Sequence, residues 1–471
     1  MVCHTGDAAI TSHQRGATVR PAATTLHARL AATGIGYAGI HGAWWLPATQ
    51  PYSLAPAFAA SLRRSAQGIF ALLDVVAEYY GRDPSLTTLL DYKRPVHIPP
   101  VHSRAPVLSL RPDYQLAVSG VVVTELEICP SAQGFAHAMQ LAYGLEPDLV
   151  PALARMLRER ELIIVITPDW SEFIWEQLAL CRALRALGAT ARVLMQPSIG
   201  DLAARVRQGE LWQPPIFGVP RKPVGWDDDV LARIAREQFQ PFLIDHVQAF
   251  ELDSARKIVL FRFGYLENFE PALIAGLYAL EQKGAVALNP TSFCYDSKVL
   301  MAAMNLPTVR AAVSNLNPTA LAVLDASIPE THLLTPAAIP FLISERVSWV
   351  LKYAGFDKGN AAWGGRSLQV GAQQTDTDWQ DTLTRYCALS FPVVAQRNIP
   401  SLRTNIDFID GQGETATLEA GATRLRAFLL REDARCSPQV LGAHLTVSSN
   451  AVQVSEASDS VQAPISFDGL A

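Results

Sequence analysis

Five consecutive aliphatic residues, Leu162-Ile163-Ile164-Val165-Ile166, constrain the fold of this chain more than any other stretch. A strand with one face in water alternates apolar and polar side chains. A run with no polar position is buried on both faces, as in a parallel sheet covered by helices. The flanks agree. A charged helix is predicted over 151–161, and a second helix over 171–187 ends at Gly188. A strand over 191–195 and a helix over 201–208 follow. Another buried-type strand over 257–261 precedes a helix over 271–283 and a strand over 285–289. This alternation predicts a Rossmann-like α/β unit.

The whole chain has 471 residues, more than one core supports, so two or three folded units are expected. Hydrophobic residues at 49% and charged residues at 18% exclude wholesale disorder. Net charge is -5 with no basic stripe, which argues against nucleic-acid partners. No apolar run reaches the ~18 residues of a bilayer span, so no membrane partner is expected. The six cysteines are scattered and none forms CxxC, which predicts reduced thiols and a cytoplasmic setting. The polar first 25 residues lack a secretory core; a frayed terminus is the simpler reading beside a weak transit-peptide resemblance.

Elsewhere, apolar residues at helical spacing predict a helix over 57–80, and four prolines mark 95–106 as an extended connector. Strands are expected over 107–110, 114–118 and 121–128, with a turn at Ser119-Gly120 and a helix over 132–145. A Pro/Gly/Asp-rich break is read at 214–229. Strands over 349–352 and 367–370 flank a glycine-rich loop, and a helix over 379–387 and strands over 393–396 and 425–430 come later. The chain beyond Ser448 carries no Lys or Arg and reads as a flexible tail, 448–471.

Several familiar signals carry no chemistry. Gly34-Ile35-Gly36-Tyr37-Ala38-Gly39 matches GxGxxG but lacks a strand before it and a helix after it. Thr167-Pro168-Asp169 stands where a dinucleotide fingerprint would follow Ile166, which argues against a nicotinamide oxidoreductase. His97 and His102 flank a Pro-Pro pair that forbids a helical metal face, so structural roles are expected. Neither a GxSxG elbow nor a Walker P-loop is present.

Two clusters remain. Asp113 begins one strand of the expected hairpin, while Glu125, Glu127 and Cys129 alternate along the next and share a face. Taken alone, the hairpin fits a solvated charged surface as well as a site for a hard cation such as Mg²⁺. The second cluster pairs Asp296-Ser297-Lys298 with Lys352, which ends an apolar strand before the glycine-rich loop 355–366. Lysines beside glycine loops suit phosphate.

Together these residues resemble the ATP-grasp superfamily, and within it the circularly permuted branch of eukaryotic-type glutathione synthetase and glutathionylspermidine synthetase. Arg111-Pro112-Asp113-Tyr114 is similar to that branch's RSDY, Glu127-Ile128-Cys129 to its Glu-Ile-Asn, and Phe261-Arg262-Phe263-Gly264-Tyr265 to its FRDGY. Lys298 and Lys352 stand where its two ATP lysines stand, and Val394–Arg397 looks like its adenine hinge. The likeness spans roughly 107–145 and 257–430. It implies a permuted ATP-grasp α/β (α+β) fold with a Rossmann-like pre-ATP-grasp domain. The expected division is an N-terminal segment 1–105, a metal-bearing hairpin 106–150, a substrate domain 151–295, the ATP-grasp domain 296–447 and the tail.

The resemblance also implies an activity: ATP-dependent ligation of a small carboxylate to an amine through an acylphosphate, with ATP and Mg²⁺ as cofactors. Asp113, Glu125 and Glu127 would hold Mg²⁺. Lys298, Lys352, Gly364, Gly365 and Gln396 would bind ATP, the glycines as a lid and Gln396 beside adenine. Arg111 and Arg262 would meet the reacting carboxylate, and Tyr265 would line that pocket. Arg424 and Arg426 either face the site or lie on the surface. Two departures stand out: Cys129 replaces a metal-binding Asn, and Asp357 is the nearest substitute for an acidic loop residue. They motivate a second expectation, a degenerate ATP-grasp module that binds nucleotide without ligating. Family members often form homodimers.

Overall fold

The computed structural model describes residues 26, 29–30, 45–167, 174–195, 243–244, 256–355, 367–410, 412–450, 454 and 460–467. The GxGxxG match, the expected helix over 201–208, the break at 214–229 and loop residues 356–366, with Asp357, Gly364 and Gly365, lie outside them.

The aliphatic run forms Glu161–Ile166, buried at the centre of a five-stranded parallel sheet. Its neighbours are Thr190–Met195 and Ile258–Phe263, flanked by Leu243–Ile244 and Val286–Ala287. Numbered along the chain, the order is 3-2-1-4-5, a doubly wound arrangement with the first strand in the middle. Helices Ile174–Ala186 and Pro271–Gln282 make the crossovers that parallel pairing requires. Ile163, Ile164 and Val165 are wholly buried, each worth ~1.5–3 kcal/mol of transfer free energy.

A larger sheet runs in the order Trp45–Pro47, Ser460–Ser466, Gln439–Ser448, Thr415–Leu430, Ser109–Ala117, Gly120–Glu127. Arg403–Ile409 pairs with the outer part of Thr415–Leu430, and Tyr52–Ser53 with Ser460–Ser466. The 24-residue helix Pro56–Tyr79 packs against this sheet and carries Leu62, Ile69, Leu72, Leu73 and Val76 into the core. A third, antiparallel sheet has the order Thr331–Leu333, Val393–Arg397, Trp349–Tyr353, Gln369–Val370. Helix Asp376–Cys387 lies beneath it, with Trp379 wholly buried.

Two expectations change. The strands read over 107–110 and 114–118 are one strand, Ser109–Ala117, which runs through Pro112. A proline interrupts a ladder where its missing N–H is needed. Here the pairing with Thr415–Leu430 skips Arg111 and Pro112 between Leu110 and Asp113, so the ladder on that side is already open at the proline. The stretch read as a flexible tail contains a buried strand, Ser460–Ser466. Its Pro464 falls in the gap between the partners Trp45–Pro47 and Tyr52–Ser53, and buried Gln462 accepts a 2.9 Å bond from the Thr446 hydroxyl.

The described cysteines, Cys129, Cys181, Cys294, Cys387 and Cys436, are free thiols. Among the described residues no helix is long and apolar enough to cross a membrane. His102 has a structural role, as expected: Nδ1 lies 2.6 Å from the Ser292 hydroxyl and its ring packs edge-on against Tyr80.

Candidate functional site

The acidic hairpin and the antiparallel sheet face each other across a cleft, and a backbone irregularity joins them. Asp113 pairs with Glu125 and Tyr114 with Val123, so Thr124 is an extra residue, a β-bulge. Its hydroxyl donates to the Asp113 carbonyl at 3.1 Å. Its own carbonyl accepts from Nζ of Lys352 on the facing sheet, also at 3.1 Å. The register sets Asp113 opposite Glu125 and Arg111 opposite Glu127, so all four side chains share one face.

Lys298 enters from a third direction. The Ser297 hydroxyl accepts the Val299 N–H at 3.2 Å and starts the 3-10 stretch Lys298–Asn305. The Lys298 N–H donates to the Ala354 carbonyl at 3.0 Å, tying this turn to the end of Trp349–Tyr353. Gly355 makes the approach feasible: its φ is +116°, and a Cβ there would lie 3.1 Å from the Asp296 carbonyl oxygen. Lys298 and Lys352 thereby reach one cavity of about 310 Å³, which Glu125, Gln396 and Arg424 also line. Val350, Val370 and the segment from Arg397 to Ser401 line it as well.

The two lysines are held differently. Nζ of Lys298 lies 2.7 Å from Oε1 of Glu125. Lys352 donates to two neutral acceptors, the Thr124 carbonyl and, at 2.8 Å, Oε1 of Gln396. Burial pushes the Lys352 ammonium down to about 8; Glu125 opposes that shift, while Lys298 and Arg424 add to it. Gln396 is committed in turn. Its Nε2 donates to the Thr331 hydroxyl at 3.1 Å and its Oε1 accepts from Lys352, so this cavity-lining side chain orients the lysine.

Other expected site residues are closed off. Asp113 is nearly fully buried and lies within 3.4 Å of Arg111, Arg424 and Arg426. Burial raises its pKa, but Arg426, Arg111 and Arg424 outweigh it and hold the carboxyl well below the usual range. A carboxylate shared by three guanidinium groups is not available to a metal, which corrects its assignment as a ligand. Arg111 also donates to the Ser131 carbonyl at 2.7 Å. Arg262 is 2% exposed and closes its fork on Asp296 at 2.7 and 3.1 Å, with a further bond to the Gly264 carbonyl. It joins structure to structure instead of meeting a substrate. Tyr265 donates to Oε2 of Glu127 at 2.9 Å, and Cys129 donates both its N–H and its thiol to Oε1 at 3.1 and 3.3 Å. Burial and then neighbouring Glu125 push the Glu127 carboxyl above its usual range. Asn289 stitches these parts together, donating to the Ile128 and Arg262 carbonyls.

Of the two late arginines, Arg424 lines the cleft and Arg426 is buried on Asp113. The Ser401 and Thr423 hydroxyls, 2.9 Å apart, also line the cavity. Nothing in the local sequence pattern marks them, because isolated hydroxyls have no periodic signature.

No protein-family model matches the chain, and neither does the sequence of any curated protein. Among solved structures it is similar to a glutathione synthetase-like effector from Globodera pallida, with a TM-score of 0.50 and 10% identity over 94% of this chain and 95% of that one. A candidate gamma-glutamylcysteine synthetase from Methylobacillus flagellatus aligns over 85% of each chain at 10% identity with a TM-score of 0.36. At such identity the first likeness is one of fold: across nearly its whole length, this chain has a glutathione synthetase-like fold.

Proposed function

We propose that this chain is an ATP-dependent carboxylate–amine ligase of the ATP-grasp type. The observation that carries the reading is the convergence of Lys298 and Lys352, from separate elements, on one cavity that Val350, Val370, Ile399 and Pro400 also line. Two ammonium groups suit a polyphosphate. Val350, Val370 and the chain from Arg397 to Pro400 suit the flat apolar faces of a base. Gln396 keeps Lys352 aimed into the cavity.

The donor chemistry suits a magnesium ion at Glu125, which lines the cavity; Glu127, on the same face, has both carboxylate oxygens taken by Tyr265 and Cys129. Such an ion takes one or two carboxylates and fills its shell with water and phosphate oxygens. No group of three or more His, Cys, Asp or Glu among the described residues could hold a metal, so a fully protein-built cage does not fit. When bound, the ion would neutralise phosphate charge.

In the proposed reaction a substrate carboxylate oxygen attacks the γ-phosphorus and ADP leaves. An amine then attacks the acyl carbon, a C–N bond forms, and phosphate departs as the nitrogen loses a proton. The protein's part is positioning and charge stabilisation by Lys298 and Lys352. Arg424, at the cleft wall, is the guanidinium placed to meet an anionic substrate.

The second reading, a module that binds nucleotide without ligation, is favoured by Cys129. Its thiol is spent on Glu127, where a metal ligand is expected. One experiment separates the two: calorimetric titration with ATP and Mg²⁺, then ADP release in the presence of pooled amino acids and amines. Substrate-dependent ADP release supports the ligase. Binding without it supports the second reading, and no binding removes both.

A further inference from the structure

A cleft suited to phosphates carries a carboxylate on its wall. Glu125 lines the cavity and pairs at 2.7 Å with Lys298, one of the two cations proposed to receive the polyphosphate. The pair is shielded on the lysine side and open on the other: the Lys298 side chain is 7% exposed and that of Glu125 24%. The neighbouring acids differ. Asp113 is neutralised by arginines, and Glu127 is covered by Tyr265 and Cys129. Glu125 is thus the carboxylate that an entering anion meets.

Two effects follow from elementary electrostatics. Glu125 repels a free polyphosphate, and it competes with that polyphosphate for Lys298. A divalent cation between Glu125 and the phosphates reverses both, because the carboxylate then attracts the complex and Lys298 is released to the phosphate oxygens. Lys352, bonded to neutral acceptors, needs no such release.

We infer that Glu125 makes this cleft select the divalent-metal complex of a polyphosphate over the free polyphosphate, by holding Lys298 until a cation takes the carboxylate. This rests on the proposal that the cleft binds a nucleotide, and it assigns Glu125 a specificity role rather than a merely structural ion pair.

The test is calorimetric titration of the full chain with ATP, and with inorganic tripolyphosphate, in Mg²⁺ or in EDTA. Glu125→Gln should bind ATP in EDTA about tenfold or more tighter than wild type and reduce the Mg²⁺ dependence to a few fold. Tripolyphosphate should follow the same pattern, since charge and not the base carries the effect. The double variant Glu125→Gln/Lys298→Gln supplies an independent check: with the ion pair removed whole, metal-free affinity should stay near that of wild type while binding in Mg²⁺ weakens, because neither the carboxylate nor the lysine is left to engage the complex. The inference is overturned if Glu125→Gln leaves metal-free affinity unchanged or lower, if wild type binds equally with and without Mg²⁺, or if the double variant loses metal-free affinity as much as metal-bound affinity. In those cases ATP still binds and the nucleotide site stands. Wild type that binds ATP under neither condition overturns the nucleotide reading, and the selectivity falls with it.

Discussion

Arg262 and Lys352 occupy similar places, each near the end of a buried strand, and they have opposite fates. Arg262 gives both terminal nitrogens to Asp296 and has a fully structural environment. Lys352 has two neutral partners and a side chain at the cavity wall. A buried cation matched by a carboxylate fork is internal cement. A buried cation held by a carbonyl and an amide keeps its charge available to a ligand. Residue type and strand position do not distinguish the two cases; the partner does.

The comparison can be broken at several points. The largest effect is expected for Arg262→Leu, which strands Asp296 as an unpaired buried carboxylate. Chemical denaturation should show a loss of about 3–5 kcal/mol, and adding Asp296→Leu should recover much of it. An unchanged midpoint would mean that the pair is not the support described. Lys352→Met should behave in reverse. Thermal melting should stay within about 2 °C or rise, because a desolvated charge is removed, while ATP affinity falls about a hundredfold. Retained affinity would move the nucleotide elsewhere.

The lowered pKa of Lys352 gives a pH signature. Below about 8 the ammonium is charged and attracts phosphate; above it the free protein has lost that charge. ATP affinity should therefore hold through neutral pH and fall by up to about tenfold per unit on the alkaline side of 8. A flat profile from pH 7 to 9.5 would remove Lys352 from the phosphate site. The smallest effect belongs to Cys129→Ser, which keeps a donor for Glu127. Stability should shift by less than about 1 kcal/mol and ATP affinity by about twofold or less, by melting and calorimetry.

Much of the fold was legible from pattern. The aliphatic run at 162–166 lies inside a parallel sheet because burial on both faces leaves no polar position. The acidic hairpin turns at Val118-Ser119, one residue before the expected Ser119-Gly120, because Gly120 already pairs with Ala117. What pattern missed has physical causes. The break read between 110 and 114 contains Pro112, yet the strand runs through it at a gap in its pairing with Thr415–Leu430, and Pro464 lies within a strand in the stretch read as a tail. Gln462 lies in the stretch read as a flexible tail, yet it is buried and its Oε1 accepts from the Thr446 hydroxyl. In the site, the sequence supplied the lysines and the acids but not which charges neutralise one another. That depends on Arg424 and Arg426, some three hundred residues from Asp113 along the chain. The Thr124 bulge left no trace in alternation either, because one inserted residue between two valid strand halves preserves the local apolar pattern.

The strand Ser460–Ser466 lies beside Trp45–Pro47 and Tyr52–Ser53. On the ribosome, the segment around residue 45 emerges long before the one it must meet. The large sheet therefore stays incomplete until residues 460–466 are made, with the edge of Gln439–Ser448 bare until then. Ending synthesis at residue 455 would leave that edge open for good. Such truncated chains should collect as aggregates even though every lysine and carboxylate of the cleft is still encoded in them.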